Sequence, residues 1–455
     1  MEVDIDKRKL RPSLLFRAFR AYLRFFHNKI YFRRVTFVGR ENIPPDGTPL
    51  IIACNHQNCM NDPLHILFSL RRKACFLARA DVFSRPLVAK WLRRNGLLPA
   101  YRMSFDGESA LSKNASTWDV AGTELLSGRT LVIFPEAGHQ DNHWLGEFSL
   151  GYIRLAFETA ARADFATDIK ILPACNHYED YFHMRKDVVI RYGTPISLAD
   201  YYELYRTKPR TAQREASRKV REQMLGLMLS IDDQANYEAI DYIRNTYGHR
   251  YATACGASAT HLDEKLTTDR QLVAALDAAR QSQPEQVEQL YADVLRLKSE
   301  TRRLNLRDWN FDKAFSAPIV ALQIAVRLLL LPLFVFALVP NILIYHLPKL
   351  ITRRLKDRLF TSSVNFGVSV LVTIPLLYAI TFAFDWYFTE SALLAAIHVI
   401  SLPLLGLFAY RYYIDSIKVI SEIRCERLRK TNNFSELAAL RSRIFGRLDQ
   451  LVKSK

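Results

Sequence analysis

The run Asn55-His56-Gln57-Asn58-Cys59-Met60-Asn61-Asp62-Pro63-Leu64 follows a short apolar stretch, Pro49–Cys54. An apolar stretch of that length after a Pro44-Pro45-Gly47 turn reads as a buried strand. A histidine just past such a strand stands where α/β sheets open toward ligands. An aspartate a few residues on can reach back to the imidazole, hold one tautomer and stabilise the imidazolium that forms. Such a pair is a base. It would take the proton of an alcohol as that alcohol attacks a thioester or another activated acyl group. A histidine followed by an aspartate is common by chance, so the weight falls on what accompanies them.

Phe134-Pro135-Glu136-Ala137-Gly138 follows a second buried run, Thr130–Phe134, and opens on the same edge. Between the two blocks lie Arg79 with Asp81, and Arg102 at the end of Leu97-Leu98-Pro99-Ala100-Tyr101-Arg102. Arginine suits a phosphate because its planar fork makes paired, charge-assisted hydrogen bonds. Pro173 closes another apolar run, Ile169–Leu172.

With these blocks in order, the chain resembles the phospholipid and glycerol acyltransferase superfamily, which acylates lysophosphatidic acid and glycerol-3-phosphate. That family carries an Asn-His-x4-Asp block, a glycine-to-arginine block, a Phe-Pro-Glu-Gly block and a strand ending in proline. Here they correspond to Asn55-His56 with Asp62, Gly96 to Arg102, Phe134 to Gly138, and Ile171 to Pro173. The opening Val38-Gly39-Arg40-Glu41-Asn42-Ile43-Pro44 also matches, as do Asn176–Asp180 and Arg191–Ile196. The resemblance covers about residues 15–205. It implies His56 as base, Asp62 as its orienting carboxylate, Arg102 on the acceptor's phosphate, and Glu136 and Gly138 shaping the acceptor site. Arg79 would replace a lysine often found before the second block. Two departures stand out. Five residues separate His56 from Asp62, with Asn61 at the strict position, and Asp62 is preferred because a neutral amide stabilises imidazolium poorly. Ala137 is inserted before Gly138, which puts the glycine's backbone contacts in question more than the role of Glu136.

The remaining histidines and cysteines carry less. His139, Asp141 and His143 lack a known metal-ligand spacing, so no metal is expected. His65 is expected to pack on its helix, and His177 and His183 to be structural or substrate-lining. The six cysteines, at 54, 59, 75, 175, 255 and 425, form no CxxC pair and read as reduced thiols.

Positioning this chemistry requires an α/β domain. Tyr31–Val38, Pro49–Cys54, Ala74–Ala78, Thr130–Phe134, Ile169–Pro173 and Val188–Tyr192 read as strands. Helical stretches such as Trp118–Leu126 and Leu150–Ala163 lie between them. The expected fold is a helix-flanked mixed sheet over residues 31–204, with four additions. Residues 1–30 form an amphipathic membrane-associating helix, with Arg17, Arg20 and Arg24 on one face. Residues 205–312 form a helical extension with no legible chemistry. Membrane segments occupy 313–415, and a basic amphipathic tail occupies 416–455.

The apolar segments are 317–347, 366–384 and 391–410, the last two near the ~20 residues that cross a bilayer as a helix. Lys349, Arg353, Arg354, Lys356 and Arg358 follow the first, and Arg411, Lys418 and Arg424 follow the third. The connection at 385–390 has Asp385 and Glu390 and no Lys or Arg. The positive-inside bias puts both basic flanks in the cytoplasm with the catalytic domain. Segment 317–347 must then enter and leave on one side, and Pro332 and Pro340 are expected to break it into a re-entrant hairpin.

Across 455 residues the formal net charge is +17. That calls for anionic partners, and with no nucleic-acid motif present they are expected to be membrane lipids and substrate phosphates. The expected activity is transfer of a fatty acyl group from acyl-CoA or acyl carrier protein to the sn-2 hydroxyl of lysophosphatidate, with no cofactor. Acylation of glycerol-3-phosphate at sn-1, acylation of an amino-acid-containing lipid, and a non-enzymatic membrane-shaping scaffold are the alternatives.

Overall fold

The computed structural model describes residues 14–101, 109–136, 138 and 141–453. The chain divides into two units. One comprises the residues up to Ser230 together with Leu355–Val364, the other Ile231–Arg354 together with Asn365 onward.

In the first unit, helix α1 (Leu14–Phe25) passes through a π-helical turn (Phe26–Tyr31) into strand β1 (Arg34–Val38). There follow β2 (Leu50–Cys54), α2 (Asn61–Ser69), β3 (Ala74–Arg79), α3 (Pro86–Arg94), β4 (Leu97–Ala100), α4 (Ser109–Leu126), β5 (Thr130–Ile133), α5 (Gly151–Arg162), β6 (Lys170–Tyr178), β7 (Asp187–Tyr192) and the short β8 (Ile196–Ser197). Helices α6 (Tyr202–Thr207) and α7 (Pro209–Leu227) complete it. The strands form one eight-stranded mixed sheet in the order β1-β7-β6-β2-β5-β3-β4, with β8 also on β6. From β6 to β4 neighbouring strands are parallel, while β7 runs antiparallel to β6.

Every residue of β2 is buried, which is why its sequence is uniformly apolar rather than alternating. Ile51 and Ala53 pack on one face with α4, α5 and α7, and Leu50 and Ile52 on the other with Phe32 and Ile66. Burying each of the larger side chains stabilises the fold by roughly 1.5–3 kcal/mol. Between α3 and β4 the chain turns at Gly96, whose φ is +84°. A Cβ there would come within 2.6 Å of the Ala74 carbonyl oxygen, so the turn requires glycine.

Three differences from the sequence reading concern this unit. Strand β4 and the short β8 were not anticipated. Strand β6 runs through Pro173 to Tyr178 rather than ending there. Pro173 falls where the outer neighbour of β6 changes from β8 to β7, and its carbonyl accepts from Gly193 on that side. The missing N–H therefore costs no ladder bond. Finally, the expected boundary at 204/205 lies at 230/231. Ala212, Ala216, Val220 and Met224 of α7 form a fully buried stripe at four-residue spacing on the sheet.

The N-terminal helix is pinned within the unit. Arg20 Nη1 donates to the Leu70 carbonyl at 2.9 Å, and Phe19 meets Trp91 edge-on at 6.0 Å. Leu14 and Leu15 remain 79% exposed.

The second unit holds α8 (Tyr237–Thr246), α9 (Gly248–Ala254), α10 (Leu262–Ser282), α11 (Pro284–Arg303) and α12 (Trp309–Asp312), then three long helices. These are α13 (Ala317–Thr352), a helix over Arg358–Thr389 and a helix over Ala392–Arg429, each long and apolar enough to cross a membrane. The middle one consists of α14 (Arg358–Val368) and α15 (Ile374–Thr389) joined by a π-turn, and the last is α16. Leu329 is 79% exposed and Ile400 77%, as lipid-facing side chains would be. Helical hydrogen bonding runs through the 36 residues of α13, with Pro332, Pro340 and Pro348 inside it. Polar side chains tie the helices together. Asn341 donates to the Leu402 carbonyl, and His398 Nδ1 lies 2.7 Å from Asp385.

The tail also differs from expectation. Residues 416–429 continue α16, and α17 (Asn432–Lys453) buries Leu437, Leu440, Ile444 and Leu448 against α10 and α11. Its apolar face is therefore occupied within the unit rather than laid on a bilayer. Arg441 forks onto Asp308 and Asp312. Deeper in the bundle, Lys265 and Arg244 share the fully buried Asp269.

Candidate active site

Strands β2 and β5 are parallel neighbours, so the loops leaving their carboxyl ends emerge side by side. The first carries His56, the second Glu136. Asn55, fully buried, exchanges two hydrogen bonds with the backbone of Asn176 on β6, at 3.0 and 2.7 Å. That pair locks the exit of β2 and sets the direction in which His56 leaves the sheet.

Asp62 lies in the first turn of α2 and is fully buried. Its Oδ2 lies 2.8 Å from His56 Nδ1 and accepts from the backbone N–H groups of Gln57 and Asn58 at 2.8 and 2.7 Å. Its Oδ1 accepts from Asn176 Nδ2 at 3.1 Å and from the Tyr178 hydroxyl at 2.6 Å. A carboxyl with a donor at every contact is an ionised acceptor, so the proton between it and the ring sits on His56 Nδ1. The lone pair of the imidazole is then on Nε2, and the ring is 17% exposed. Burial, reinforced by the Asp62 charge, pushes the Tyr178 hydroxyl well above its ordinary range and keeps it a donor.

Glu136 does something the sequence reading did not assign. Its Oε1 accepts the backbone N–H of His56 at 2.9 Å and its Oε2 that of Gly146 at 2.7 Å. It therefore clamps the histidine's main chain. Burial raises its pKa, partly opposed by those two hydrogen bonds. Phe134 stacks on the His56 ring at 4.3 Å. Arg221 of α7 holds the far side of the Gly146 loop through the carbonyls of Leu145 and Gly146.

The other predicted residues separate. Arg79 is at the carboxyl end of β3, on the same sheet edge, and forks onto Asp81 at 3.1 and 2.7 Å. Gly138 is on the loop after Glu136, where a Cβ would meet only the Glu136 carbonyl oxygen at 3.9 Å, so packing does not demand glycine. Arg102 lies outside the described residues, as does His139. His143 is buried with its Nδ1 3.1 Å from the Tyr181 hydroxyl, which donates to Gln57 Oε1 at 3.2 Å. Among the described residues no cluster of three or more His, Cys, Asp or Glu is arranged to hold a metal ion.

Sequence reasoning missed the roles of Asn176 and Tyr178. Their signal was available: with β6 continued past Pro173, positions 174, 176 and 178 share one face. The flanking cysteines are poor nucleophiles. Burial pushes the Cys54 thiol well up and that of Cys59 to about 12. The His56–Asp62 pair stands beside them at the same sheet edge, Nδ1 to Oδ2 at 2.8 Å.

Residues 34–176 match the family model described as Acyltransferase. The chain is 27% identical over 157 residues to a 1-acyl-sn-glycerol-3-phosphate acyltransferase of Chlamydomonas reinhardtii, covering 33% of this chain and 44% of that protein. It is 22% identical over 298 residues to an uncharacterized acyltransferase of Schizosaccharomyces pombe, covering 47% of this chain and 44% of that one. The chain thus spans less than half the length of these curated relatives. The crystal structure of the lysophosphatidic acid acyltransferase PlsC of Thermotoga maritima aligns at 17% identity with a TM-score of 0.33, over 46% of this chain and 79% of that one. The segment from β1 into β6, with the His56 and Glu136 loops at its centre, is the part of the chain that matches the acyltransferase family model.

Proposed function

We propose that this protein is a membrane-bound O-acyltransferase that moves a fatty acyl group from acyl-CoA or acyl carrier protein to the sn-2 hydroxyl of lysophosphatidate, giving phosphatidate. The observation that carries this reading is the buried Asp62 carboxylate, with five donors converging on it, 2.8 Å from His56 Nδ1. His56 Nε2 takes the acceptor's hydroxyl proton as the oxygen attacks the thioester carbonyl carbon. The tetrahedral intermediate collapses, the carbon–sulfur bond breaks, and the leaving thiolate receives the proton from the imidazolium. Asp62 stabilises that imidazolium and stays ionised throughout.

Arg79, on the same sheet edge, is a phosphate-facing candidate, with Asp81 holding its fork until the acceptor arrives. The long apolar helices and the exposed leucines of α1 favour an amphipathic acceptor taken from the bilayer. The basic residues flanking those helices favour a cytoplasmic catalytic unit. The test is a purified-protein assay crossing acyl-CoA and acyl carrier protein donors with lysophosphatidate, glycerol-3-phosphate and a phosphate-free amino-acid lipid. Phosphatidate as the dominant ester supports the reading. A dominant product from either other acceptor moves the substrate, and no ester from any pair removes the activity.

A further inference from the structure

Residues 355–364 follow the first membrane-type helix in sequence, yet they pack with the catalytic unit. Leu359 is 5% exposed and belongs to the same apolar cluster as Phe32, Ile66, Tyr178 and Tyr181. Arg358 lies over the Phe182 ring at 4.4 Å. The Tyr31 hydroxyl is 3.2 Å from Ser362 Oγ and also hydrogen-bonds Asn61, the residue before Asp62. Ser363, fully buried, hydrogen-bonds Cys59.

These contacts converge on one stretch. Gln57–Asn61 is the loop that lets Asp62 reach back to His56, and it contains the extra residue that distinguishes this chain from the four-residue family spacing. Cys59 has φ of +42°, a conformation that non-glycine residues adopt only when their surroundings impose it. Its backbone neighbours Gln57 and Asn58 donate two of the five hydrogen bonds on Asp62. Tyr181, whose carbonyl accepts from Asn58 Nδ2, lies in the cluster that Leu359 completes.

We propose that residues 355–364 are a positioning strap, which holds the Gln57–Asn61 loop in its strained form and so keeps Asp62 aligned on His56. The inference rests on the reading of His56 as the base. Leu359, Ser362 and Ser363 act through the loop and touch neither reacting atoms nor substrate.

The full chain, purified in lipid nanodiscs, tests this with two variants: Leu359→Ala, and the double change Tyr31→Phe with Ser362→Ala, which deletes polar contacts without opening a large cavity. Kinetics are measured with the donor and acceptor preferred by the wild type, and cysteine alkylation is mapped by peptide mass spectrometry. Misplacing the carboxylate lowers kcat by roughly ten- to a hundredfold while KM stays within about twofold. Cys59, 8% exposed, is alkylated faster, while the sheet residue Cys175 stays protected and reports that the domain is folded. Faster Cys59 alkylation with unchanged kcat in either variant overturns the strap. So does an unchanged pattern of both in the double variant. A His56→Ala control with full activity would instead remove the catalytic reading itself.

Discussion

Replacing Asp62 with asparagine separates the carboxylate's charge from its shape. The amide oxygen can keep the Oδ2 position, where it still accepts from His56, Gln57 and Asn58. The amide nitrogen then takes the Oδ1 position, facing Tyr178 and Asn176. The Tyr178 hydroxyl can rotate to accept, and Asn176 Oδ1, buried without a partner, becomes available if that amide flips. Folding should therefore lose only about 1–3 kcal/mol. Catalysis loses far more. A carboxylate and an imidazolium about 4 Å apart between charge centres attract by about 4 kcal/mol at an effective dielectric near 20. That is roughly a thousandfold in rate, since each ~1.4 kcal/mol is tenfold. Initial rates of Asp62→Asn with acyl-CoA and lysophosphatidate in mixed micelles, beside a urea unfolding curve, read both quantities. A folded variant within tenfold of the wild-type rate would refute the role given to this carboxylate.

Four further outcomes follow from the same structure. Arg79→Ala should raise KM for a phosphate-bearing acceptor about tenfold and leave the KM of the acyl donor unchanged, measured by varying each substrate in turn. His65 is fully buried with both ring nitrogens unpartnered, so His65→Phe should raise the urea midpoint by the equivalent of about 1–2 kcal/mol. Its neighbour His27 is held neutral by burial, its pKa lowered from 6.5 to about 4. A depressed folded value means the stabilisation is complete above pH 6.5 and is lost as pH falls toward 4, by roughly 3 kcal/mol, which a pH series of unfolding curves would show. In the helical unit, Asp269→Ala leaves the buried Lys265 ammonium with only the Arg244 carbonyl, and should cost about 3–5 kcal/mol by the same measurement.

The parts of this protein legible in its sequence were those with strong local signals. β2 and β5 declared themselves as uninterrupted apolar runs because they are buried on both faces. His56 and Glu136 sit just after such runs, and Asp62 opens the helix that follows the first. What stayed hidden depended on tertiary context. Pro173 looked like a strand end, and only the switch of neighbours along β6 shows why the strand continues to Asn176 and Tyr178. Glu136 carries no local sign that its partners are two backbone N–H groups. The stripe on α17 was amphipathic as read; that it lies against α10 and α11 is a fact about partners distant in the sequence.

The central claim is that one imidazole, aligned by Asp62, removes the proton from a lipid alcohol. Its most direct test is the turnover of purified His56→Ala, quantified as acyl ester formed by mass spectrometry under saturating donor and acceptor. Turnover should fall by roughly two to four orders of magnitude, with acceptor binding retained. A variant that keeps a tenth or more of the wild-type turnover would contradict it.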